Sequence, residues 1–181
     1  MAASLVQQRE RLYDLSDARQ AAVIEQYCSA DQPEDEWDWD GLEDALEEQF
    51  AVQFELQPGT VDEVAKQTWP VVEAKLGERE KELSRPWLMY FARHFYLEEI
   101  DNQWIEHLKT MEALREGIGL QGYGQKDPKK EYKKAGFDLF ADMMARISGN
   151  VVNKVFHVQI QREAEQAPQL QQRARQLVTQ G

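Results

Sequence analysis

The sequence predicts an all-α fold: a long antiparallel helical hairpin set on a smaller group of helices. Three observations carry this. Two stretches of about 30 residues repeat apolar side chains every three or four positions, the period of a helix face. A short glycine-rich segment joins them, and a short connection between two long amphipathic helices makes them antiparallel neighbours. Almost nothing in the chain alternates with the two-residue period of a strand.

Taken in order, residues from about Leu5 to Tyr27 place Leu12, Leu15, Ala22, Val23 and Tyr27 at helical spacing, which predicts one or two helices. The segment from Asp31 to Glu48 holds many acids and no base. Its first half, with Pro33 and no periodicity, reads as a loop, and Asp40 is the expected N-cap of a helix carrying Leu42, Leu46 and Phe50. The run Ala51–Leu56 alternates briefly and predicts a short strand before the Pro58-Gly59 turn. Thr60, with Glu63 three residues on, has the capping-box pattern and starts a helix that runs to about Leu83, with a bend expected at Pro70.

Ser84 then precedes a helix with Pro86 in its first turn, where proline is tolerated. Helical spacing continues to about Glu116 along Phe91, Phe95, Ile100, Trp104, Leu108, Met111, Leu114 and Ile118. The second stripe runs from Tyr132 through Phe140, Met144, Ile147, Val151 and Val155 to Val158. Each helix of this length extends about 45 Å at 1.5 Å per residue. Trp104, Leu108, Met111, Leu114, Phe140 and Met144 are the expected core of the hairpin. Residues 117–128 form its tip. After Gln161 the chain turns glutamine- and arginine-rich and reads as a frayed helix or linker.

Composition narrows the function classes. At 181 residues and 42% hydrophobic, with five tryptophans, the chain has material for a packed core. Its 33 acids against 21 bases give a net charge of −12, which repels nucleic acid and anionic lipid except at a local basic patch. One cysteine, Cys28, excludes an internal disulfide or a four-thiolate zinc site and fits a reducing cytoplasm. The N-terminus lacks an apolar signal region, and no stretch approaches 18 apolar residues, so any membrane role is expected to be peripheral.

Most motifs that suggest chemistry fail on context. Gly117, Gly119 and Gly122 spell G-x-G-x-x-G, but they follow a helix rather than a strand, so the negative end of a helix dipole faces them. Gly119 and Gly124 have P-loop spacing, yet Gln125 stands where lysine is needed and no Ser or Thr follows to hold magnesium. No histidine has a glutamate three residues before it: Phe91, Trp104 and Lys154 occupy those places ahead of His94, His107 and His157, which excludes the di-metal bundle pattern. His94 with Glu98 reads as a hydrogen-bonded pair at or near the surface, His107 as a packing residue and Cys28 as a small buried side chain. No catalytic residue and no metal ligand is assigned, and no enzymatic activity or cofactor is expected of this chain alone.

Two features remain. Four glycines surround Leu120 and Tyr123 at the tip, where leaving a helix requires only one. Such a loop either docks as a turn or presents Leu120, Gln121, Gly122, Tyr123 and Gly124 to an unfolded polypeptide. Beyond it, Lys126, Lys129, Lys130, Lys133 and Lys134 form either a solvated helix start or a basic collar for an acidic partner or phosphate groups.

Residues Glu99 to Phe140 closely resemble the two-helix finger of SecA-type preprotein translocase motors. Asp101, Trp104, Glu106, His107 and Leu108 match a D-x-x-W-x-E-H-L element. The run from Leu114 to Pro128 matches L-R-x-G-I-x-L-R-G-Y-x-Q-K-D-P, except that Gln121 replaces a residue usually basic, and Glu131, Tyr132 and Lys133 match E-Y-K. Upstream, the acidic segment around Trp37 and Trp39 resembles the start of the family's helical wing, and Gln8 to Asp17 its scaffold helix. The resemblance implies a helical scaffold in residues 1–30, a wing in 31–84, scaffold with finger in 85–160, and a linker in 161–181. It implies that Tyr123 contacts moving preprotein at the SecY channel. It further implies partnership with motor domains that bind ATP and magnesium elsewhere in a longer protein; the family's cysteine-rich zinc motif is not in this sequence. The role implied is mechanical and regulatory, coupling ATP-driven motion to translocation at the inner face of the membrane. A free-standing helical interaction or inhibitory module is the alternative.

Overall fold

The computed structural model describes residues 4–29, 32–120 and 127–159. Five α-helices account for most of them: α1 (Leu5–Tyr27), α2 (Trp39–Phe50), α3 (Val61–Leu83), α4 (Arg85–Leu120) and α5 (Pro128–His157). A 3-10 turn spans Glu34–Glu36, within the segment that the sequence reads as a loop. No strand occurs among the described residues, so the fold is all-α.

The helix starts are locally encoded. Ser4 and Gln7 close a reciprocal capping box on α1, and Thr60 and Glu63 close another on α3. For α2 the cap is Asp38, not Asp40: its carboxylate accepts from the Gly41 amide at 2.9 Å. Gly41 permits this, since a Cβ there would sit 2.3 Å from the Asp38 Oδ2. Asp40 instead lies in the first turn, where a negative charge suits the positive end of the helix dipole.

The expected strand at 51–56 does not form. Ala51 takes a left-handed conformation (φ 53°) that ends α2. The segment that follows finds its hydrogen-bond partners in side chains: the Leu56 amide donates to Glu43 Oε1 at 2.6 Å and the Gln57 amide to Gln67 Oε1 at 2.8 Å. A lone extended segment without a neighbour has no ladder to join.

One core unites α1, α2, α3 and the adjoining ends of α4 and α5. Leu42, Leu46, Val64, Val72, Leu76, Leu88, Val152 and Val155 are fully excluded from solvent. On α3 the buried row is Val64, Thr68, Val72, Leu76, Arg79 and Leu83, spaced by fours and one three as a helix face requires. Phe50 meets Phe156 edge-on at 5.2 Å, joining α2 to α5. The buried polar groups tie elements together: Gln20 of α1 donates to the Thr68 hydroxyl and to the Ala65 carbonyl of α3. Arg9 and Arg85 both engage Glu80, linking α1, α3 and α4.

Candidate functional site: the paired helices and their basic end

Beyond this core, α4 and α5 pack antiparallel. Their cross-links fall in opposite order along the two helices: Met111 packs against Gly136, His107 faces Phe140, Gln103 accepts from Arg146, Glu99 accepts from Asn150, and Glu98 and Glu99 both bind Lys154. At Gly136 the approach is close, because a Cβ there would lie 3.1 Å from the Met111 Cε. At the basal end, Glu99 is 5% exposed and accepts from Asn150 at 2.7 Å and Lys154 at 2.8 Å. Burial pushes the Glu99 carboxyl upward, but the bonds from Lys154 and Asn150 outweigh it and hold it below the ordinary glutamate range. Bonding to Glu99 raises the Lys154 ammonium in turn.

The residues expected as hairpin core are only partly so. Met111 and Leu114 are half-buried, whereas Trp104, Leu108, Phe140 and Met144 are 46%, 52%, 44% and 36% exposed. Two helices with no third layer bury one narrow stripe each, and apolar residues flanking that stripe stay open. The buried positions there are instead His107 and Met143. His107 packs as expected, between Trp104 and Phe140, with its Nδ1 buried and, among the described residues, without a hydrogen-bond partner. His94 does not pair with Glu98: it is exposed and stacked on Tyr90, while Glu98 binds Lys154 at 3.0 Å.

At the far end, α4 continues through Leu120, so Gly117 is a helical residue, with no described neighbour within 4 Å of where a Cβ would sit, and α4 extends further than the sequence suggested. Gln121, Gly122, Tyr123, Gly124 and Lys126 lie outside the described residues. α5 begins at Pro128, with Asp127 as N-cap accepting from the Lys129 amide at 3.0 Å. Lys129, Lys130, Lys133 and Lys134 are all exposed, and among the described residues none is in an ion pair. Lys129 and Lys130, in the first turn, oppose the positive end of the helix dipole, with Glu131 the one acid there. The end of the helix pair is therefore a concentrated positive charge on an acidic chain.

Sequence reasoning missed the Glu99–Asn150–Lys154 cluster. Its signal was present in the four-residue step from Asn150 to Lys154 and from Phe95 to Glu99, polar residues on the register of an otherwise apolar stripe.

Comparison with known proteins decides the family. The family described as SecA Wing and Scaffold domain matches residues 3–159. The chain belongs to the SecA wing-and-scaffold family. It is 41% identical over 174 residues to the protein translocase subunit SecA of Sorangium cellulosum (strain So ce56), covering 94% of this chain and 17% of that protein. It is 36% identical over 172 residues to the SecA of Syntrophus aciditrophicus (strain SB), covering 93% and 20%. With the SecA of Geotalea uraniireducens (strain Rf4) it shares 36% identity over 177 residues, 93% of this chain and 19% of the relative. The chain thus spans about a fifth of the length of these SecA relatives. None of its described helices is long and apolar enough to cross a membrane.

Proposed function

We propose that the chain works as the scaffold, wing and two-helix finger of a SecA-type protein translocase. In this reading α4 and α5 form a stiff lever. Its base is fixed in the common core, and its tip carries Leu120, Gln121, Gly122, Tyr123 and Gly124 to the mouth of the SecY channel. There the Tyr123 ring and Leu120 side chain grip unfolded preprotein through apolar contact that is indifferent to sequence. Lys126, Lys129, Lys130, Lys133 and Lys134 form the positive collar that meets acidic channel surface. ATP and magnesium belong to motor domains elsewhere in the longer protein, and their motion reaches the preprotein through the lever. Association with the membrane is then peripheral, through the channel.

The observation that supports this best is the antiparallel pairing of α4 and α5, with polar cross-links from Glu98 to Arg146 anchoring its base and the basic residues gathered at its far end. The test is Tyr123→Ala in the full-length translocase. Translocation of an unfolded preprotein into SecY-containing vesicles is expected to slow while ATP binding persists. Transport at the unsubstituted rate overturns the assignment of Tyr123.

A further inference from the structure

A cavity of about 510 Å³ opens where α1, α2 and α5 meet, away from the finger tip. Arg19 of α1 enters it half-buried, and its Nε donates to Gln49 Oε1 of α2 at 2.8 Å. Gln49 is itself buried and passes its own Nε2 to the Gly149 carbonyl of α5 at 3.1 Å, so the guanidinium plane is held by a three-helix relay. Glycine at 149 makes the room: a Cβ there would stand 3.2 Å from both Cζ and Nε of Arg19.

What this arrangement lacks is a counter-charge. The one hydrogen-bond partner of Arg19 is a neutral amide, and among the described residues the guanidinium forms no ion pair, on a chain with 33 acids and 21 bases. The other arginines that are buried or near a carboxylate do find one: Arg9 and Arg85 bind Glu80, and Arg79 binds Glu82. Burial lowers the pKa of Arg19, and no neighbouring charge offsets this. A second arginine, Arg146, lines the same cavity from α5, with the amides of Asn150 and Asn153 beside it. Glu48 is the one acid in the lining; its side chain is exposed, and its main-chain carbonyl is held by Asn153 at 2.8 Å.

We propose that this cavity is an oxyanion site, in which the two Nη atoms of Arg19 receive a carboxylate or phosphate group and Arg146 supplies the second charge. A planar guanidinium with its Nε already fixed keeps its remaining donors aimed, and a planar fork matches paired oxygens of either group. Partial desolvation strengthens the attraction relative to a surface arginine. Because the walls come from three helices, an occupant clamps the scaffold helix, the wing and the return helix of the finger together.

The test uses the full 181-residue chain, titrated with inorganic phosphate at constant ionic strength set by chloride. A saturable rise in Tm, together with a saturable shift of the Arg19 Nε–Hε resonance, is expected. Arg19→Gln should weaken binding by about tenfold or more, the loss of a charge-assisted hydrogen-bond pair. Arg146→Gln, at an exposed position where it also removes the bond to Gln103, should weaken it less, and Glu48→Gln, removing the one acid, should tighten it. Acetate forms the second arm. Saturable stabilisation by acetate as well assigns the site to carboxylates, including an acidic side chain of a longer protein; a response to phosphate alone assigns it to phosphate groups. No saturable response to either anion beyond chloride, or a response unchanged in both arginine variants, overturns the proposal.

Discussion

Replacing Lys154 with methionine probes what fixes the base of the helix pair. Methionine keeps an unbranched apolar stem and removes the ammonium, with its charge and its hydrogen-bond donors. The Lys154 ammonium binds Glu99 at 2.8 Å and Glu98 at 3.0 Å, and lies 5.8 Å from the centre of the Phe95 ring. The Glu99 side chain is 7% exposed and that of Lys154 34%. Breaking a fully buried pair by removing one partner costs about 3–5 kcal/mol. Water can reach the space Lys154 leaves, and Asn150 still donates to Glu99, so the Glu99 link is worth about 1–2 kcal/mol here after screening. The exposed Glu98 link adds about 0.2–0.5 kcal/mol, and the ring contact about 0.5 kcal/mol.

The expected loss at pH 7 is therefore about 2–3 kcal/mol, or about 4–12 °C in Tm for a chain of this size. Urea unfolding of Lys154→Met, Glu99→Gln and the double variant isolates the Glu99 coupling, expected at about 1–2 kcal/mol. The dependence on pH is equally specific. Glu99 has a lowered folded pKa, so its contribution is present above the unfolded glutamate value and is lost as pH falls through the lower, folded one. Lys154 has a raised folded pKa, so its contribution is present below the unfolded lysine value and is lost as pH rises through the higher one. The gap between wild type and Lys154→Met should be full between about pH 5 and pH 10 and shrink outside it. A gap below about 0.3 kcal/mol at pH 7, or one that persists undiminished to pH 3, refutes the reasoning.

Two further outcomes test other parts of the fold. Gly77 lies inside α3 with nothing within 4 Å of where a Cβ would sit, so Gly77→Ala should raise stability by about 0.5–1 kcal/mol in urea unfolding. Cys28 is 2% exposed and burial raises its thiol pKa, so iodoacetamide should label it slowly in the native chain and rapidly in denaturing urea. Rapid native labelling would mean that the α1 terminus opens.

Most of the helices were legible in the sequence because their periodicity, and some of their starts, are written locally. Thr60 with Glu63 on α3 and Pro86 in the first turn of α4 need no tertiary information. The short strand at 51–56 was misread because alternation records which side chains face inward and says nothing of a partner strand; Phe54 is indeed buried, but in an irregular segment held by Glu43 and Gln67. The shift of the α2 cap from Asp40 to Asp38 has a similar origin. Both are aspartates before an apolar run, and the choice is made by Gly41, which alone leaves space for the carboxylate to reach back.

The candidate site divides along the same line. Its basic end was legible, since lysines at 129, 130, 133 and 134 stay exposed wherever a helix places them. Its interior was not. A stripe at 3–4 spacing names the residues that share a helix face, but burial depends on how many layers cover that face. Near the base, α1, α2 and α3 supply those layers, and Ile147, Val151 and Val155 are sealed. Further out α4 and α5 have one another, so Trp104 and Phe140 flank the seam and His107 fills it. The same geometry explains why polar cross-links gather between Glu98 and Arg146. At that depth the pair leaves the shared core, apolar cover runs out, and charged and amide groups satisfied across the seam are what fix the register of one helix against the other.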